Sequence, residues 1–245
     1  MKKILVFLFL FIAQNLFAQM IFTYDDFGYT IKNNNEITIT WYNGSLSSLD
    51  IPSVIDGITV TTIGEGAFDY SESLTSITIP NSVTTIGRNA FSHCESLTSV
   101  TISDSVTIIG DFAFSCCESL TSITIPNSVT TIGRCAFLGC ESLTSITIPN
   151  SVTTIGDFAF SCCYSLTSIT IPNSVTTIGD SAFDCCCSLT NIIIPNSVTT
   201  IGYYPFRGCG SGCGSLIIQC NPGSYAEKYF NAINTDRYLI THDWL

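Results

Sequence analysis

The chain has 245 residues, 46% hydrophobic and only 11% charged, with 19 acidic against 8 basic side chains and a formal net charge of −11. Nucleic-acid binding needs clustered Lys and Arg to replace phosphate counterions, and a chain this poor in both is excluded from that class. Two His and thirteen Cys leave little material for general acid–base chemistry and make the state of the thiols the larger question.

At the start, Lys2 and Lys3 precede an apolar run from Ile4 to Ile12, and Leu16-Phe17-Ala18 offers a cleavage site. Residues 1–18 are therefore read as a secretory signal peptide. The apolar run is shorter than the ~18 to 20 residues of a spanning helix, and no second such run follows, so no transmembrane span is expected. The expected location is extracellular or cell-surface, with the periplasm open. Loss of Lys2 and Lys3 leaves six basic residues against 19 acidic ones, a charge of −13.

Residues 19–50 read as an N-terminal β cap. Phe27–Ile31 and Glu36–Tyr42 alternate as strands, joined by a hairpin turn over Lys32–Asn35. A 23-residue unit, Ser-Leu-Thr-Ser-Ile-Thr-Ile-Pro-Asn-Ser-Val-Thr-Thr-Ile-Gly-x-x-Ala-Phe-x-x-Cys-x, then recurs almost verbatim. Its Ile-Gly step falls at Ile63, Ile86, Ile109, Ile132, Ile155, Ile178 and Ile201. A fixed period of this length means a repeat solenoid, here seven coils over 51–215, in which each unit packs only on its neighbours.

Within the unit Ser73–Glu95, period-2 alternation turns Ile77 and Ile79 inward and Ser76 and Thr78 outward on a short strand that Pro80 ends. Val83 and Ile86 turn inward on a second short extended stretch. Gly87 permits a bend a side chain would obstruct, and Ala90, Phe91 and Cys94 have the spacing of one helical turn on the core. After Cys209 a Gly-Ser-Gly-Cys-Gly insertion breaks the period. Residues 216–245 are read as the C-terminal cap, with Ser224 capping a short helix from Tyr225 to about Ala232 and a last extended piece at 237–240.

These residues carry a resemblance. The unit Leu-x-x-Ile-x-Ile-Pro-x-x-Val-x-x-Ile-Gly-x-x-Ala-Phe-x-x-Cys, running from Leu46 to Leu216, resembles the BspA-like leucine-rich repeat of bacterial surface proteins. The stretches Ile51–Gly64 and Gly223–Phe230 are similar to that family's opening repeat and closing helix. The resemblance implies a curved solenoid of leucine-rich-repeat type with short parallel strands, secreted or on the cell surface, in some members adhesin-like. It implies no common catalytic residues.

The columns that repetition builds are the candidate sites. Ser76, Thr78, Ser99, Thr101, Ser122, Thr124, Ser145, Thr147, Ser168 and Thr170 form a flat polar lattice able to meet an extracellular protein or glycan; Thr is equally a good strand residue that stacks on itself. Arg88, Asp111, Arg134 and Asp157 alternate in sign, so neighbouring coils are expected to pair charges. Glu95, Glu118 and Glu141 repeat one sign, read as solvated carboxylates rather than a Ca²⁺ site. Six Cys (Cys94, Cys117, Cys140, Cys163, Cys186, Cys209) share one column, expected to be buried thiols, with inter-coil disulfides open in an oxidising compartment. Cys162 and Cys185 lie on consecutive coils of the next column, and Cys213 and Cys220 flank the C-terminal break. No catalytic motif, metal ligand set or cofactor loop is recognised. The expected function is non-catalytic, adhesin-like binding, and the alternative is a structural or self-assembling module.

Overall fold

The computed structural model describes residues 21–32, 35–210, 216–233 and 238–241. The signal-peptide segment, the tip of the Lys32–Asn35 turn, most of the glycine-rich insertion with Cys213, and His242 lie outside the described residues.

The chain opens with β1 (Phe22–Tyr24), β2 (Phe27–Ile31) and β3 (Glu36–Tyr42), paired antiparallel in that order. Next come β4 (Ser48–Asp50), β5 (Val54–Ile55) and β6 (Ile58–Ile63). Each later coil holds a three-residue strand and then a two-residue strand. In order these are β7 (Ser76–Thr78) and β8 (Thr85–Ile86), then β9 (Ser99–Thr101) and β10 (Ile108–Ile109). β11 (Ser122–Thr124), β12 (Thr131–Ile132), β13 (Ser145–Thr147) and β14 (Thr154–Ile155) follow. The series ends with β15 (Ser168–Thr170), β16 (Thr177–Ile178), β17 (Asn191–Ile193) and β18 (Thr200–Ile201). β19 (Leu216–Gln219), α1 (Tyr225–Ile233) and β20 (Tyr238–Thr241) are the last of the described elements.

Parallel pairing between consecutive coils gives the stack two sheet walls. The two-residue strands run β6-β8-β10-β12-β14-β16-β18, and β3 joins the ladder parallel to β6. The three-residue strands form the other wall, β4-β7-β9-β11-β13-β15, and a separate group β17-β19-β20 continues it. Both cap segments thus lend strands to this wall: β4 lies inside the N-terminal stretch, and β19 and β20 inside the C-terminal one. The predicted alternation holds: Ile77 and Ile79 are buried, and Thr78 is exposed. Pro80 supplies no ladder donor, and its carbonyl accepts the Val83 N–H at 3.1 Å to close the turn.

The third wall differs from the reading of Ala90, Phe91 and Cys94 as a helical turn. It is a run of tight turns in which N–H groups alternate between local and inter-coil partners. Ala90, Ser92 and Cys94 donate three residues back, to Gly87, Asn89 and Phe91. Asn89, Phe91 and His93 donate forward, to Asp111, Ala113 and Ser115 of the next coil. Asn89 (φ 52) and His93 (φ 56) are left-handed, and equivalent residues repeat this in later coils. Left-handed backbone is costly for residues such as Phe112 and Phe158. It persists here because it aims an N–H at the coil ahead and closes a third ladder.

Inside, Phe68, Phe91, Phe114, Phe137, Phe160, Phe183 and Phe206 stack in one column, with ring centroids 5.0–5.5 Å apart. Tyr42 tilts onto Phe68 at the front, and Phe230 of α1 onto Phe206 at the back. Ser224 caps α1 by accepting the Glu227 N–H at 3.1 Å. Tyr229 fixes the helix to the last coil by donating its hydroxyl to the Gly202 carbonyl. The glycine after each Ile answers to close approach: a Cβ at Gly133 would stand 2.8 Å from the backbone of Gly110. The obstruction is the neighbouring coil rather than the bend itself.

Candidate binding surface

Parallel register brings all ten predicted lattice residues onto one face. Ser76 pairs with Ser99, Ser99 with Ser122, Ser122 with Ser145, and Ser145 with Ser168. Thr78 pairs with Thr101, and Thr124, Thr147 and Thr170 stand in consecutive register. All are exposed except Ser76, which is partly buried and donates to Ser48 at 2.8 Å. The other lattice hydroxyls make no hydrogen bond to described residues, so their donors and acceptors face solvent.

Nearby threonines behave differently. Thr98 and Thr167 donate their hydroxyls to the carbonyls of Thr75 and Thr144, one coil back. Thr84, Thr107, Thr153 and Thr176 do the same on the second wall. Those hydroxyls hold coils together, whereas the lattice hydroxyls other than that of Ser76 face solvent.

Between β15 and β17 no ladder forms, although the coils stay in contact. Here Asn191 and Ile193 stand where earlier coils carry Ser and Thr. A cleft of about 370 Å³ opens there, lined by Ile171, Asn173, Ile193, Pro195, Asn196 and Asn221. The two substitutions are visible in the sequence, whereas the cleft is not.

The alternating charge column needs correction. Among the described residues no ion pair joins Arg88, Asp111, Arg134 and Asp157. The Asp111 carboxylate accepts the Arg134 N–H at 2.8 Å, and Asp157 and Asp180 accept the next coil's N–H at 2.9 and 2.7 Å. Arg88 and Arg134 instead lie over the rings of Phe112 and Phe158 at 5.8 and 6.0 Å. An acid one coil behind a backbone amide is better placed for that N–H than for the flexible Arg. Among the described residues an ion pair joins Arg207 to the buried Asp184, with Nε 3.1 Å from Oδ1.

The six-cysteine column is buried or nearly so, and its thiols are free. Each donates to the carbonyl of the Phe in the coil behind, from Cys94 on Phe68 at 3.1 Å to Cys209 on Phe183 at 3.1 Å. The sequence shows the column but not this role, because the acceptor lies 26 residues away. Burial pushes the Cys94 thiol up to about 12 and raises Cys117, Cys140 and Cys163 well above the ordinary thiol range. Glu95, Glu118 and Glu141 are exposed. Among the described residues no three His, Cys, Asp or Glu side chains are arranged to hold a metal ion.

Comparison with known proteins agrees with this architecture. The model of the BspA type leucine-rich repeat region matches in six copies, over residues 37–134 and 107–235. A crystal structure of a leucine-rich repeat protein of T. pallidum is similar with 33% identity and a TM-score of 0.71, over 76% of this chain and 87% of that one. One from Bacteroides ovatus is similar with 27% identity and a TM-score of 0.61, over 89% of this chain and 66% of that one. A leucine-rich cell surface protein of Faecalibacterium prausnitzii shares 28% identity at a TM-score of 0.50, over 83% and 76% of the two chains. No curated protein matches the sequence. The 23-residue coils, their parallel ladders and the family match together make this chain a member of the BspA-type leucine-rich repeat family.

Proposed function

We propose that this protein acts by non-catalytic, adhesin-like binding, recognising an extracellular protein or glycan through its strand face after export to the cell surface or beyond. One observation carries the reading: the lattice hydroxyls on β9, β11, β13 and β15 are exposed, registered coil to coil and without a hydrogen bond to the described residues. A surface that repeats donors and acceptors at coil spacing suits an extended polymer or another flat surface. BspA-type repeat proteins are typically surface-associated and generally non-catalytic, and no helix among the described residues is long and apolar enough to cross a membrane. The net charge of −11 disfavours anionic partners and favours neutral or basic ones.

A second reading, self-assembly, has its own observation. The strand wall ends in β4 at one end and β20 at the other, and Leu239 on β20 is 55% exposed. Head-to-tail docking of two copies would continue the parallel ladder without closing it. Binding of the purified chain to an array of matrix proteins and glycans, beside light scattering of the same sample, separates the two. A saturable signal from a monomeric protein supports the binding reading. No signal, with reversible oligomers that grow with concentration, replaces it with assembly.

A further inference from the structure

We propose that Cys162 and Cys185 are a site of oxidative modification, where a small-molecule disulfide converts the two thiols into one disulfide that staples consecutive coils. This inference stands independently of the binding reading.

The turn position in question is held in successive coils by Tyr70, His93, Cys116, Gly139, Cys162, Cys185 and Gly208, every one with left-handed φ between 56 and 75. Their N–H groups donate to the coil ahead, Cys162 to Asp184 at 2.8 Å and Cys185 to Arg207 at 2.6 Å, so the backbone is stacked in register. Stacked coils place equivalent Cα atoms ~4.8 Å apart, inside the ~4.4 to 6.8 Å a disulfide spans. The rings of Tyr70 and His93 show how side chains leave this column: they stack 4.5 Å apart with planes 2° from parallel. Cys162 and Cys185 are therefore neighbours that point the same way, and both are partly exposed.

The other described thiols are placed differently. Cys163 and Cys186 are buried, donate to Phe137 and Phe160, and have thiols raised far above neutral pH. Cys116 has His93 behind it and Gly139 ahead in its column. Cys187 lies two residues along the same turn as Cys185 and donates to the Cys185 carbonyl at 3.4 Å.

A second feature lies just past these two turns in the chain. Side-by-side Cβ atoms at coil spacing are farther apart than the ~3.8 Å of a disulfide, so closure must draw the turns together. Coils from β4 to β15 are held at fixed spacing by strand-wall ladders. Between β15 and β17 that ladder is interrupted and the cleft opens instead. The turns that carry Cys162 and Cys185 run on into β15 and β17, the neighbouring strands left without a ladder.

The chemistry balances with an oxidant of the oxidised-glutathione class. The Cys162 thiolate attacks one sulfur of the oxidant, breaking its S–S bond and releasing one thiolate. The Cys185 thiolate then attacks the Cys162 sulfur of this mixed disulfide and releases the second. The two cysteine protons end on the two leaving thiolates, and the oxidant is reduced to two thiols. First attack falls to Cys162, which adjoins Ser161 at 3.7 Å. Cys185 adjoins the Asp184 carboxylate at 3.5 Å, and burial with that charge pushes its thiol up to about 11.

The test is to incubate the reduced, purified chain with oxidised glutathione at pH 8, alkylate the remaining thiols, digest after aromatic residues and sequence the linked peptides by mass spectrometry. A single link between Cys162 and Cys185, absent in Cys162→Ser and in Cys185→Ser but retained in Cys187→Ser, is the expected result. The circular dichroism of each reduced variant should match the parent, and oxidation should raise the parent's Tm but not theirs. A link that survives either of the first two variants overturns the proposal. So does a link through Cys187, or glutathione adducts with no internal link.

Discussion

The phenylalanine–cysteine spine and the strand face are both columns of near-identical residues at the same coil spacing, yet their polar groups meet different fates. On the spine every thiol from Cys94 to Cys209 is committed to a Phe carbonyl one coil back. On the strand face Thr101, Thr124, Thr147 and Thr170 keep their hydroxyls in solvent. Repetition by itself is therefore no mark of function in a solenoid. Whether the hydrogen-bonding capacity of a column is consumed inside the stack is what separates scaffold from surface.

Alkaline pH should break the spine first and most completely. Thiols whose pKa is raised on folding favour the folded state fully below their unfolded value of about 8.5, and that contribution is lost as pH rises through the folded value. For Cys94 the window runs from about 8.5 to about 12. Each such thiol costs about 1.4 kcal/mol per pH unit there. Thermal unfolding followed from pH 8 to 11 should show a steep fall in Tm, made shallower by Cys140→Ala. An unchanged slope in that variant would remove the column from the account.

Next in size, Phe137→Ala should cost about 3 to 5 kcal/mol, because it opens a cavity between two stacked rings 5.5 and 5.3 Å away. Gly133→Ala should cost about 1 to 3 kcal/mol by forcing a Cβ against the Gly110 backbone. Urea unfolding of both variants checks the order. Gly133 does not have the left-handed φ that would by itself exclude Ala, so its loss reports the contact with the neighbouring coil. By contrast, Thr124→Lys with Thr147→Lys should change stability by less than about 0.5 kcal/mol, as befits exposed sites.

Much of this comparison is legible in the sequence, and the rest fails for identifiable reasons. Alternation alone placed Ile77 inward and Thr78 outward, since a short strand has only two faces. The spacing of Ala90, Phe91 and Cys94 imitates a helix, but the neighbouring coil offers acceptors at Asp111, Ala113 and Ser115 that a lone helix would lack. No residue type announces the left-handed positions, which fall on Asn89, Phe112, Cys135 and Phe158 alike. The sign alternation of Arg88 and Asp111 suggested ion pairs because a sequence does not show that a backbone N–H is the nearer partner. The ten lattice residues were readable because register follows from the period. The cleft beside Ile193 was not, because its lining comes from three coils and includes Asn221, which lies past the break in the period.

The measurement that tests the central claim most directly compares two faces carrying the same charge change. Against a partner captured by the array, affinity would be determined for the parent, for Thr124→Lys with Thr147→Lys on the strand face, and for Thr131→Lys with Thr154→Lys on the two-residue ladder. The account predicts at least a tenfold loss for the first pair and little change for the second. Equal affinities in both, or a loss confined to the second, would contradict it.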